Sequence, residues 1–199
     1  MARKSTNVTH NPHLVTLPER IQRNLHKSGV MWFTGLPGAG KSTITKNLEK
    51  RLFEEGYQVS VIDNELVREG LSSDLGFSHE DRTENIRRAG EVSALLSRAG
   101  RIVLSGFIAP YSSDREIARH AAGEGFHEVY LNPGAKVCEA RDSGRLYEQA
   151  RVGDIPDFTG VSAPYEEPVS PELTIDTGVI SVGETIELLV EYIDNAFRL

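Results

Sequence analysis

One eight-residue stretch restricts the folds open to this 199-residue chain more than any other: Gly35-Leu-Pro-Gly-Ala-Gly-Lys-Ser42. It matches the pattern G-x-x-x-x-G-K-[ST] in full. It also stands between the apolar run Val30-Met-Trp-Phe-Thr34 and a segment in which Ile44, Leu48 and Leu52 recur at helical spacing. A buried strand must therefore run into a tight glycine turn that opens an amphipathic helix. In such a turn, Gly35, Leu36, Pro37, Gly38, Ala39 and Gly40 can curl so that the N–H groups of all but Pro37 point inward at phosphate oxygens, only because glycine permits it. The helix N-terminus adds positive potential, Lys41 reaches β- and γ-phosphates, and the Ser42 hydroxyl is placed for Mg²⁺. A glycine-rich turn with a chance lysine is the competing reading, and the strand–turn–helix context disfavours it. The loop predicts a nucleotide site.

Strand and helix signals alternate along the rest of the chain. Tyr57–Ile62, Arg101–Ile108, His127–Leu131 and Glu172–Ile175 read as further strands. A long helix runs from about Glu80 to Ala99, opened by Ser78-x-x-Asp81 and closed by Gly100. A last helix opens at the capping box Ser181-x-x-Glu184 and keeps Val182, Ile186, Leu189, Ile193 and Phe197 on one side. Alternation of this kind predicts an α/β fold of three layers, with a central parallel sheet of about five strands and ligands at the strands' carboxyl ends. Residues 1–29 are polar and without a clear period, and read as an N-terminal arm lying on a single domain of residues 30–199. The pair His10-x-x-His13 has no third ligand in step, so a solvated arm is favoured over a metal site.

Charge excludes some functions. The 22 Lys+Arg against 29 Asp+Glu give a net −7, which argues against general nucleic-acid binding. The last forty residues account for this total, with one basic residue and eight acids. No run is long and apolar enough for a membrane span, and no targeting segment is visible, so the cytoplasm is the expected location. The single cysteine, Cys138, rules out an internal disulfide and reads as a small buried residue.

The use of the nucleotide depends on carboxylates. The third strand, Val103-Leu-Ser-Gly-Phe107, ends without one, whereas the second is followed by Asp63-Asn64-Glu65. An acid at that strand end can accept the proton of an incoming hydroxyl or hold a metal-bound water. Asp63 and Glu65 thus suggest transfer to a small molecule, against the plainer reading of a turn residue and helix N-cap. A guanine-reading N-K-x-D segment is missing, which disfavours a GTPase switch.

Taken together, the motifs resemble the adenylylsulfate (APS) kinases, which phosphorylate the ribose 3′-hydroxyl of adenosine 5′-phosphosulfate. The likeness runs from Asn7–Thr16 through Trp32–Leu36, Gly70–Ser78 and Glu80–Glu91, its most specific stretch. It continues in Phe107–Tyr111, Cys138–Asp142, Leu146-Tyr147, Ala150–Gly153, Phe158–Gly160 and Pro164–Glu166. The resemblance implies a P-loop kinase fold with a mobile lid over residues 142–160, ATP and Mg²⁺ as cofactors, and a homodimer serving sulfate assimilation. It implies that Lys41, Asp63 and Glu65 are catalytic, and that Ser42, Asp63 and Glu65 serve the metal. Thr43 and Arg141 would join the loop in holding ATP, with Arg141 over its adenine. Phe77 and Phe158 would sandwich the acceptor adenine, Arg68, Arg82 and Asn85 would hold its phosphosulfate and ribose, and Ile108, Thr159 and Gly160 would complete that site. Without the resemblance, the two phenylalanines could be core, and Arg82, Arg87 and Arg88 a solvated helix face.

The sequence departs from the family at the acceptor and the lid. The family usually reads Asp-Gly-Asp-Asn where this chain has Asp63-Asn64-Glu65-Leu66, and Ala109 stands where Ser is common. Two family lysines are replaced within Ser143-Gly144-Arg145 and at Gln149. A sister kinase for another nucleotide or small hydroxylated acceptor is the first rival to APS phosphorylation. A non-catalytic nucleotide-binding regulatory protein is the second, and retention of both acids speaks against it.

Overall fold

A computed structural model describes residues 13–199. Residues 1–12, which carry most of the Asn7–Thr16 stretch and His10 of the histidine pair, lie outside the described residues. Five parallel strands form one sheet: β1 (Gly29–Thr34), β2 (Val59–Asp63), β3 (Ile102–Gly106), β4 (Phe126–Leu131) and β5 (Leu173–Ile175). Their order is β2-β3-β1-β4-β5, with β1 at the centre. All six residues of β1 are buried, as a strand covered on both faces requires.

On one face, α2 (Lys41–Glu54) and α8 (Val182–Phe197) bury Ile44, Leu48, Leu52, Leu189 and Ile193 against Met31, Phe33 and Leu104. On the other, α4 (His79–Arg98) and α5 (Ser112–Ala122) cover Trp32, Val103 and Phe107. The two helices on this second face pack tightly because α4 presents Gly90, where a Cβ would lie 2.9 Å from the Ala118 Cα. The expected caps form: Ser78 accepts from Asp81 N, and Ser181 and Glu184 make a reciprocal box. Val182 is the exception on its apolar stripe, being 44% exposed while the other four are buried.

Strand limits differ from the expected ones by one or two residues. Tyr57 precedes β2 because its hydroxyl bonds Asp194 and its ring joins the core. Phe107 and Ile108 leave the ladder after Gly106 to wall a cleft. The larger addition lies within the arm. Leu17–Asn24 forms a helix, α1, with a complete capping box between Thr16 and Glu19. None of its residues is buried, so no apolar period marked it; polar ends hold it, with Asn24 donating to the Gly100 carbonyl at 2.8 Å. Helix α6 (Ala135–Ala140) falls within the helical-looking run 135–141 around Cys138, whereas α3 (Asn64–Glu69), α5 and α7 (Leu146–Arg151), the last inside the expected lid, went unread.

Candidate active site

The glycine loop leaves the carboxyl end of the central strand and turns into α2 with Gly40 as its cap, at φ +101°. Gly38 has φ +82°, and a Cβ there would meet the Cys138 carbonyl oxygen at 2.6 Å. The loop is therefore pressed onto α6, whose Cys138 is fully buried, as expected of a small packing residue. Lys41 folds over the loop and donates to the carbonyls of Gly35 at 2.7 Å and Leu36 at 2.9 Å. Burial without a carboxylate partner pushes its ammonium down to about 8, only partly offset by the Cys138 thiol.

Two cavities meet at this lysine. The first, of about 440 Å³, is lined by Gly38, Gly40, Lys41, Ser42, Thr43, Arg141, Thr177 and Ile180. Arg141 is held at its mouth by Thr177, whose hydroxyl accepts at 3.1 Å and whose carbonyl accepts at 2.6 Å. Thr177 in turn donates to the Ala39 carbonyl at 2.9 Å, so the β5–α8 connection buttresses the loop. The second cavity, of about 390 Å³, also includes Pro37, Gly38, Lys41 and Ser42. It adds Asp63, Glu65, Arg68, Phe77, Arg82, Asn85 and Ile108.

Sheet register explains how the acids reach it. Asp63 pairs with Gly106, which pairs with Phe33, so Asp63 stands level with the end of β1. Two strand spacings, roughly 10 Å, separate it from the loop, room enough for a phosphoryl group and its acceptor. Asp63 serves as the N-cap of α3: Oδ1 accepts from Leu66 N at 2.9 Å, and Oδ2 lies 3.9 Å from Lys46 Nζ. The cap thus occupies one oxygen of a residue that also lines the second cavity. Glu65 follows in the first turn of α3 and is exposed.

The cationic residues divide sharply. Arg87 and Arg88 pair with Glu84, and Arg88 also with Asp74; the Arg87 bond chiefly, helped by Arg88, holds the Glu84 carboxyl down to about 2. These two are a salt-bridged helix face. Among the described residues, Arg68, Arg82 and Arg141 make no salt bridge. Arg68 lies over the Phe77 ring, 4.3 Å from its centroid, and its pKa is lowered by burial and then by the charge of Arg82. Two close guanidinium groups without a salt-bridge partner among the described residues, where the Asp81 charge opposes burial and Arg82 only in part, can hold an anion.

Phe158, Thr159 and Gly160 line neither of these cavities. Phe158 packs edge-on to Tyr147 with centroids 5.0 Å apart, and Thr159 is buried beneath Arg82, whose Nη1 lies 3.4 Å from its hydroxyl. Gly160 lies on the Leu36 side chain. Arg82 Nη2 also donates to the Asp157 carbonyl at 2.9 Å, tying residues 157–159 to α4. Phe77, by contrast, is 64% exposed in the second cavity. Tyr147 of α7 donates to the Pro37 carbonyl at 2.8 Å, fastening the expected lid to the loop.

Sequence reading missed several residues that shape the site. Thr34 donates to the Ile108 carbonyl at 2.6 Å and Arg115 to the Ala109 carbonyl at 2.8 Å. Together they hold Ala109 at φ +43°, fixing the wall of the second cavity. Thr34 could have been suspected from its place at the end of β1, but nothing local marked Arg115 or Thr177.

A family model of adenylylsulphate kinase matches residues 27–176. The adenylyl-sulfate kinase of Bacillus pumilus is 52% identical over 181 residues, 90% of this chain and 91% of that protein. Among solved structures, the APS kinase of Mycobacterium tuberculosis in complex with AMPPNP and APS is similar with a TM-score of 0.81 at 38% identity. That match covers 84% of this chain and 98% of the other. The hexameric APS kinase from Thiobacillus denitrificans has a TM-score of 0.64 at 30% identity, over 89% of this chain and 31% of its own longer one.

Proposed function

This chain belongs to the adenylylsulphate kinase family, and we propose that it transfers the γ-phosphoryl group of ATP to the 3′-hydroxyl of adenosine 5′-phosphosulfate. The observation that carries this reading is the meeting of two cavities at Gly38, Lys41 and Ser42. A hydrolase needs only a donor site and a water. A kinase needs a second, organic-sized chamber across the transferring phosphoryl group, and here that chamber has its own acid, arginines and exposed aromatic ring.

ATP takes the first cavity, its phosphates on the N–H groups of the loop and Arg141 near its base. APS takes the second, its adenine against Phe77 and its anionic end near Arg68 and Arg82, with Asn85 beside them. Phe158, Thr159 and Gly160 approach that acceptor through residues 142–160, which act as a lid. Asp63 presents Oδ2 to the acceptor hydroxyl and takes its proton, while its capped Oδ1 fixes the carboxylate plane. Lys41 turns from the loop carbonyls to the phosphates and neutralises charge as the phosphoryl group moves.

The donor set also fits Mg²⁺. The Ser42 hydroxyl makes no side-chain hydrogen bond among the described residues, and Asp63 and Glu65 offer hard oxygens nearby. Mg²⁺ needs only one or two protein oxygens beside phosphates and waters, so the absence of a denser acidic cluster among the described residues is compatible with it. Bound there by Ser42, with Asp63 and Glu65 through water, it would neutralise phosphate charge.

No helix among the described residues is long and apolar enough to cross a membrane, and a cytoplasmic enzyme of one domain with an N-terminal arm is the reading we favour. Self-association as a homodimer is supported by Leu14, Val15 and Leu25, which are 98%, 53% and 73% exposed around α1. The activity is tested by following ADP release from Mg-ATP with APS, then with other nucleotides and hydroxylated metabolites. Turnover specific to APS, lost in Lys41→Ala and reduced mainly through acceptor KM in Phe77→Ala, is expected. Turnover on another acceptor with none on APS would refute it.

A further inference from the structure

Asn64, between the two acids, makes an arrangement that neither the loop nor the acids explain. Its Oδ1 accepts from Arg68 Nε at 3.3 Å and from Asn85 Nδ2 at 3.1 Å. The Arg68 Nε–H can only donate, so it fixes which end of the Asn64 carboxamide faces inward. That oxygen then fixes Asn85, which must present Nδ2 to it. Asn85 is 2% exposed, and its own Oδ1 is buried with no hydrogen-bond partner. A buried orphan acceptor is costly unless something donates to it. Both Asn64 and Asn85 line the second cavity.

The same oxygen orients Arg68. The guanidinium uses Nε on Asn64 and Nη1 on the carbonyls of Leu75 at 3.2 Å and Gly76 at 3.0 Å, and its face lies on Phe77. Nη2 makes no hydrogen bond among the described residues, leaving two N–H groups for an anion.

We propose that Asn64 is a positioning residue for the acceptor: one carboxamide oxygen sets Arg68 to present Nη2 to the acceptor's anionic group and Asn85 to present Oδ1 to an acceptor hydroxyl. Asn64 itself touches neither. The inference rests on the acceptor being a nucleotide anion, as proposed above. It gives a physical role to a residue whose place in the family pattern is usually glycine.

The test is calorimetric binding of APS to the enzyme with ADP present, alongside steady-state kinetics, for the wild type, Asn64→Ala, Arg68→Ala and the double variant. Loss of the two contacts that orient Arg68 and Asn85 predicts an Asn64→Ala Kd and KM for APS raised about 5- to 30-fold, equivalent to about 1–2 kcal/mol. Its kcat should stay within about threefold and its KM for ATP unchanged, a split that general misfolding would not produce. Because Asn64 acts partly through Arg68, the two penalties should combine to less than their product, by about threefold or more. An unchanged Kd in Asn64→Ala, strict additivity, or a fall in kcat at constant KM would each overturn the inference and leave the kinase reading intact. APS that binds but is not turned over by the wild type would refute the kinase reading alone, with the Asn64→Ala Kd still deciding this one. A wild type that binds no APS would overturn both.

Discussion

Nucleotide affinity should fall with rising pH in a way set by Lys41. Its ammonium is drawn into the loop where, among the described residues, two carbonyls are its only hydrogen-bond acceptors, and desolvation brings its pKa to about 8. Bound phosphates reverse that balance, since an anion against the ammonium favours its charged form. The sign follows: the pKa is depressed in the free enzyme and raised in the complex, so binding takes up protons between the two values. Below about pH 7 both forms are charged and affinity is flat; above about 8 it weakens by up to tenfold per pH unit until the bound pKa is reached. At pH 9 the factor is about 11, or about 1.4 kcal/mol. The assay is calorimetry of ADP binding from pH 7 to 9.5 in buffers of different ionisation enthalpy, which also counts protons. Uptake of about half a proton at pH 8 is expected. Lys41→Met should bind more weakly at pH 7 and lose the pH dependence. Constant affinity over this range, or proton release, would refute the reasoning.

Two further substitutions separate site from scaffold. Gly38→Ala places a methyl group 2.6 Å from the Cys138 carbonyl at φ +82°; since a left-handed conformation alone costs about 1–2 kcal/mol, nucleotide affinity should drop at least about tenfold with a lowered Tm. Undiminished ADP binding would show that the loop tolerates the shift. Ser181→Ala removes the acceptor for Glu184 N at 3.2 Å and opens the box at the start of α8; a loss of about 1 kcal/mol, or about 2–4 °C in Tm, is expected with KM values unchanged. A changed KM for ATP would mean that α8 entry shapes the nucleotide cavity directly.

Lys41, Ser42 and Asp63 were legible in the chain because local sequence controls them. A loop between a strand and a helix carries its function in its own backbone, and a carboxylate at the end of a buried strand must emerge on the ligand side of a parallel sheet. The Ser78 and Ser181 caps were legible for the same reason, each being a contact over three residues. The charge balance was a poorer guide. Of the C-terminal acids, Glu166 accepts from Ser112 N at the start of α5, close to the cleft wall, and Glu187 pairs with Arg51 of α2. Helix α1 went unread although its Thr16-x-x-Glu19 box is as local a signal as the one at Ser181, because with nothing buried no apolar stripe accompanied it. Arg87 and Arg88 looked like Arg82 on paper; Glu84 and Asp74 neutralise the first two, whereas Arg82 turns toward Phe77, Asp157 and Thr159.

The strand–loop–helix unit, the alternation that demands a parallel sheet and the acids after the second strand all follow from short-range pattern, because backbone geometry and apolar periodicity act over a few residues. Fold class and phosphate chemistry were therefore decided along the chain. The division of space around Lys41 into two cavities was not. It depends on β3 lying between β2 and β1, on Thr177 reaching back 138 residues to Ala39, and on Arg115 and Thr34 holding Ile108 and Ala109 in the cleft wall. The Thr177 and Thr34 contacts join residues far apart in sequence, and only packing selects which arginines keep their charge free for an anion.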